Sequence, residues 1–295
     1  MGGVGDSPNG RCGKPAEDAP EGRVMSRHRT TTTGIAYEVG GDGPRLLLLV
    51  HGLGANASVW RPMLKHFAND AAAWDGRWAA PDLRGHGRSV STGPFSYGVH
   101  VADLAAVIAD FGSDDVTVIG HSFGGVLGAV LAGDLFGAPI RTVLAVGVKL
   151  DWTADELAGA QRIAQRGRAV FDSSAAAAEY ALKLAGLRGL ADLTDPCADI
   201  ISVGGGFSAA VNPRVFSVVG PDIRALLSSC RAPLHLAAGS TDPMVSLTAM
   251  REVDRDARVL DDAGHNAHWE NPAQLWNLVR DLTSTAAPDG AAAVS

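Results

Sequence analysis

The chain has 295 residues, enough for one large α/β domain whose core is built by packing alone, without metals or disulfides. Apolar residues make up 46% of it and the formal net charge is −7, a balance that disfavours nucleic acid and anionic membrane surfaces as partners. The cysteines, Cys12, Cys197 and Cys230, are odd in number and form no Cys-x-x-Cys, so neither a disulfide framework nor a zinc site is indicated. They read as ordinary thiols of a reducing compartment, which points to the cytoplasm. No apolar stretch is long enough to span a bilayer. Positions 1–22 lack the apolar segment of a signal peptide, and Asp6 breaks the myristoylation pattern. Residues 1–27 and 286–295 are read as disordered tails.

In chain order, 35–39 predicts a strand, followed by a turn at Gly40-Gly41-Asp42-Gly43. The segment 45–50 carries an unbroken apolar run, the pattern of a strand buried on both faces of a parallel sheet. A Gly-rich turn and a helix over 56–67 follow, then a short strand at 78–81. Leu104, Val107, Ile108 and Phe111 keep helical spacing within 96–111. Next come a strand at 116–119, a small-residue helix over 123–136, and strands at 142–148, 234–238 and 259–260. A helix over 272–282 closes the chain. Strands alternating with helices imply a doubly wound, mostly parallel sheet. Residues 152–228 are far too many for a loop. Helical patterns at 154–168 and around Tyr180, Leu184 and Leu187 make this an inserted, mostly helical cap. Within it, Gly204-Gly205-Gly206 reads as a loop. The expected organisation is a core formed by 28–151 and 229–285, interrupted by the cap at 152–228. No internal repeat is found.

The strongest chemical signal is Gly120-His121-Ser122-Phe123-Gly124, a G-x-S-x-G between a predicted strand and a predicted helix. The turn is so tight that the residues two before and two after the serine must be small, and it lifts the serine hydroxyl clear of the sheet. The bland alternative is a Gly/Ser turn that caps a helix. A second signal is His51-Gly52-Leu53-Gly54 after the buried strand. Acyl transfer needs backbone N–H donors aimed at the developing oxyanion, and Leu53 and Phe123 are placed to supply them. The same turn supports a rival. Gly52-Leu53-Gly54-Ala55-Asn56-Ala57 fits the dinucleotide fingerprint, with Asp70 or Asp75 near the spacing of its acidic partner. That reading leaves Ser122 and the late histidine without a role.

Gly264-His265 follows the last strand. Histidine is the usual base for a serine nucleophile, and its place late in the chain suits the order serine, acid, histidine. His268 competes with it. The acid belongs on a loop between Ser122 and His265. Asp242 in Gly239-Ser240-Thr241-Asp242-Pro243 fits, with Asp151 as the alternative.

With these motifs in view, the chain resembles the α/β-hydrolase superfamily over roughly 30–285. The carrying segments are His51-Gly52, Asp82-Leu83-Arg84-Gly85-His86-Gly87-Arg88-Ser89, Gly120 to Gly124, the Asp242 loop and Gly264-His265. The resemblance implies an eight-stranded, mostly parallel sheet with helices on both faces and a lid between strands six and seven. It also implies a pocket lined by His51, Gly52, His121, the cap, Trp60 and Trp269. Serine at the nucleophile position turns the reading away from members that use aspartate, the haloalkane dehalogenases and epoxide hydrolases. It leaves esterases, lactonases, thioesterases, carbon–carbon bond hydrolases and perhydrolase-like enzymes. The absence of an HGGG oxyanion loop makes it similar to the capped, small-molecule branch. The expected activity is hydrolysis of a small-molecule carboxylic ester or lactone, with no metal and no cofactor. An alternative of another class is a ligand receptor with slow or residual hydrolysis. The oligomeric state is left open, a homo-oligomer included.

Overall fold

The computed structural model of the protein describes residues 27–70 and 74–284. The tail readings over 1–26 and 286–295 lie outside the described residues, as does Cys12. Cys197 and Cys230 are free thiols. No helix among the described residues is long and apolar enough to cross a membrane.

The chain opens with β1 (Arg27–Thr30), β2 (Ala36–Gly41) and β3 (Arg45–Val50). A tight helical turn at Ala57–Trp60 leads into α1 (Arg61–Asn69), and β4 (Gly76–Pro81) follows. Then come α2 (Tyr97–Phe111), β5 (Val116–His121), α3 (Phe123–Leu131) and β6 (Ile140–Val146). Ser96 caps α2 by accepting from Val99 N–H, and Gly112 ends that helix at φ +60°. Leu46 to Val50 are completely buried, because β3 lies between two parallel neighbours. This is what its unbroken apolar run implies.

The eight strands of the main sheet run in the order β1-β2-β4-β3-β5-β6, followed by β9 (Leu234–Gly239) and β10 (Arg258–Leu260). The two junctions β1/β2 and β2/β4 are antiparallel, and all others are parallel. The expected doubly wound, mostly parallel sheet is thus present. The tail boundary is corrected at one residue: Arg27 already belongs to β1. That strand carries no hydrophobic alternation because it is an exposed edge, so nothing in its composition announces it.

Between β6 and β9 run α4 (Ala154–Gln165), α5 (Ser174–Leu184), β7 (Ile200–Val203), β8 (Gly206–Ala209), a helical turn at Pro213–Val218 and α6 (Ile223–Ser228). The two strands form an antiparallel hairpin that the sequence reading missed. Gly204 and Gly205 make its two-residue turn, both at positive φ, as such hairpins require. Beyond β9 lie α7 (Leu247–Val253), α8 (Ala267–Glu270) and α9 (Pro272–Ser284).

Strand order decides where a site can form. From β3 the chain turns to β4 on one side, whereas β5 lies on the other side of β3 and leads on to β6. The loops leaving β3 and β5 therefore diverge, and a crevice opens at their C-terminal ends.

Candidate active site

Ser122 stands at the tip of β5 with φ +51° and ψ −114°, a conformation that side chains other than glycine rarely adopt. Its N–H is anchored on Val146 O at 2.7 Å. The tightness of the turn explains its glycines. A methyl group on Gly120 would collide with Gly124 O, and one on Gly124 with Val50 O. Neither Phe123 N–H nor Leu53 N–H has an acceptor among the described residues. Both residues line, with Ser122, a cavity of about 460 Å³ in the crevice.

His265 reaches the same cavity from the loop after β10. Its Nδ1 meets Asp242 Oδ2 at 2.9 Å. The Asp242 side chain is 1% exposed and that of His265 18%, so the carboxylate is shielded while the ring faces the cavity. Asp242 Oδ1 accepts from Met244 N–H, which holds the carboxylate in orientation. Because Nδ1–H donates to Asp242, the Nε2 lone pair is free to accept a proton. Asp151, the alternative acid, lies on the surface in an ion pair with Arg224. His268, the competing base, is buried in contact with the rings of Trp60 and His121, and burial pushes its pKa down to about 3.

Several expected pocket residues are placed elsewhere. His51 is fully buried behind the β3 loop: Nδ1–H donates to Gly52 O at 2.7 Å, and Nε2 accepts from Leu83 N–H at 2.9 Å. Burial pushes its pKa down to about 4. It is a clamp between two loops and does not face the cavity. His86 does the same work, accepting from Gly54 N–H at 3.1 Å. Trp60 is completely buried in the core, and Trp269 points its Nε1–H at Leu190 O; neither lines the cavity. Gly52 and His121 do line it. His121 donates Nε2–H to His265 O at 2.9 Å, so it also steadies the histidine.

Sequence reading missed Glu270. Its two carboxylate oxygens accept from Gly264 N–H at 2.9 Å and Asn266 N–H at 3.0 Å, the amides on either side of His265. An acidic residue five positions after a loop histidine is the sole trace in the sequence, and it is too common to read. From the segment between β6 and β9, Trp152, Ile163, Leu184 and Phe216 close the cavity with aromatic and aliphatic groups. Lys149, at the end of the β6 loop, and Glu156 of α4 form an ion pair on the same wall.

The dinucleotide alternative does not survive this geometry. The Gly52–Gly54 turn fronts the cavity shared with Ser122, and Asp70 is bonded to Trp276 Nε1–H and Arg280.

Comparison with known proteins follows the same line. A family model described as the alpha/beta hydrolase family matches residues 47–278. The protein belongs to the α/β hydrolase family. Among curated relatives, this α/β hydrolase is similar to the lipase LipV of Mycobacterium tuberculosis, 37% identical over 93 residues, covering 32% of this chain and 33% of that protein. It is similar to a putative carbamate hydrolase, RutD, of Caulobacter segnis, 37% identical over 110 residues, covering 35% and 39%. The matched segments span little more than a third of those relatives. Among solved structures, a thioesterase domain from the curacin biosynthetic pathway superposes with a TM-score of 0.70 at 20% identity, covering 87% of this chain and 99% of that one. E-2-(acetamidomethylene)succinate hydrolase gives 0.71 at 19% identity, covering 89% and 100%. At such identities these structures speak to the fold alone.

Proposed function

We propose that this α/β hydrolase cleaves a small-molecule carboxylic ester or lactone through an acyl-enzyme on Ser122. The observation that carries the reading is the buried Asp242 holding His265 Nδ1 at 2.9 Å on the wall of the cavity that also contains Ser122. In the first step His265 Nε2 takes the Ser122 proton as Oγ attacks the scissile carbonyl carbon. The Leu53 and Phe123 N–H groups, free of other acceptors among the described residues, hold the oxyanion. His265 then gives its proton to the leaving oxygen as the C–O bond breaks. Water, deprotonated by the same ring, releases the acid and restores the serine. Gly52 and His121 border the reacting centre, and residues 152–228 serve as a cap that shields it from bulk water.

The test is covalent labelling. A fluorophosphonate is added to the purified protein, and the intact mass is compared with that of Ser122→Ala. One adduct on the wild type and none on the variant is the expected result. No adduct on either protein would overturn the nucleophile assignment and favour a ligand-binding role without turnover.

A further inference from the structure

Behind the cavity that contains Ser122 lies a second one of about 190 Å³, walled by the insertion. Ile163, Leu184 and Phe216 stand on the walls of both, so three apolar side chains form the partition. Arg168 lines the second cavity. Its Nη1 donates to Ala209 O at 2.7 Å and Val211 O at 3.1 Å, which fixes the guanidinium against the hairpin.

Arg166 lines the same cavity but is exposed, whereas Arg168 is half-buried, and no ion pair with a carboxylate is formed by either among the described residues. Arg84, Arg141, Arg188, Arg224, Arg231 and Arg280 each meet a carboxylate. No carboxylate among the described residues pairs with Arg168, and its partial burial lowers its pKa with no acid to oppose the shift. A half-buried guanidinium with two carbonyl contacts still has donors to offer, and desolvation without a counterion is a cost that an anion would relieve. The planar fork matches a carboxylate.

We propose that the second chamber receives a carboxylate at the far end of the substrate's acyl chain, with Arg168 as its receptor. The inference rests on the acyl-enzyme reading and names its substrate class: monoesters of α,ω-dicarboxylic acids. The chain occupies the apolar part of the first cavity; the Ile163, Leu184 and Phe216 side chains of the partition part to admit its end, and its terminal carboxylate meets Arg168. Attack by Ser122 breaks the ester C–O bond, the alcohol leaves with the His265 proton, and water releases the free dicarboxylate.

The experiment has two arms. In the first, p-nitrophenyl monoesters of dicarboxylic acids, from succinate to dodecanedioate, are compared with neutral esters of equal chain length. The wild type prefers the carboxylate-ended ester at one chain length. Arg168→Gln lowers the kcat/KM ratio of acidic to neutral ester by on the order of tenfold to a hundredfold, the size of a charge-assisted hydrogen bond. Because a ratio is read, any loss of active enzyme cancels. Arg168→Lys restores part of the ratio, and Ile163→Trp, which adds bulk to the partition, lowers it without touching the arginine. In the second arm, octanedioate binding to Ser122→Ala is measured by calorimetry with and without Arg168→Gln, and the double variant binds at least tenfold more weakly. No preference at any chain length, or a ratio unchanged in Arg168→Gln, overturns the proposal. If no ester at all is turned over, the acyl-enzyme reading fails by itself, and the calorimetry still decides whether Arg168 receives a carboxylate.

Discussion

Glu270 accepts a hydrogen bond from Gly264 N–H at 2.9 Å, and its other oxygen takes the N–H of Asn266 at 3.0 Å. One carboxylate thus spans the two peptide groups that flank His265. A side chain on Gly264 would crowd that carboxylate, since its Cβ would lie 3.1 Å from Glu270 Oε2. The helix α8 therefore positions the histidine of a loop that has no regular structure of its own. Glu270→Ala is expected to leave two amides without their acceptor, at a cost of about 1–3 kcal/mol in folding free energy. It is also expected to lower kcat more than it raises KM, because the His265 ring loses its fixed aim. Urea unfolding and steady-state kinetics check this. Full kcat in a folded Glu270→Ala protein would show that the clamp does not position His265.

Ser122 holds a backbone conformation at φ +51° that favours glycine. The surrounding turn imposes it, through the Val146 contact and the crowding at Gly120 and Gly124. Such strain costs about 1–3 kcal/mol. Ser122→Gly should therefore raise the thermal midpoint while abolishing esterase activity. A lower midpoint would mean that the serine is not strained.

Asp242 and Asp151 separate cleanly. Asp242→Asn keeps the shape but loses the tautomer control over His265, and kcat is expected to fall by about 10⁴. Asp151 meets only surface partners, so Asp151→Asn should stay within a few-fold of the wild type, as surface changes do. Measured kcat for both variants decides. Equal effects would contradict the assignment of the acid.

Acid should destabilise this protein early. Burial pushes His51 down to about 4 and His86, His100 and His268 down to about 3, against 6.5 for the free side chain. Between those values the unfolded chain binds protons that the folded one refuses. Stability is therefore complete above pH 6.5 and declines as pH falls, by up to about 1.4 kcal/mol per pH unit for each such histidine. Urea midpoints at pH 7 and pH 5 test it. His268→Leu removes one titrating group whose ring nitrogens have no hydrogen-bond partner among the described residues, so its curve should be shallower. A midpoint that held or rose on acidification would refute the account.

Much of the fold was legible because its signals are local. The apolar run of β3 reports burial on both faces without reference to any neighbour. The elbow is legible for the same reason: two glycines, a serine and a strand-to-helix junction lie within a few residues. Other elements follow from context. The edge strand β1 is held by backbone pairing to β2, and its Arg-His-Arg-Thr side chains carry no trace of it.

What the sequence by itself determined was the mostly parallel sheet and the candidates Ser122, Asp242 and His265, which lie on the segments that follow β5, β9 and β10. Only the tertiary structure decided which other side chains share their cavity. His51 and Trp60 sit within or beside suggestive motifs, yet the sheet buries both away from the site. Glu270 and Arg168 carry no motif, and their contacts are with backbone groups that only folding brings near. Hydrogen bonds and burial depend on distances between segments far apart in the chain, and those distances exist only once the whole core has packed.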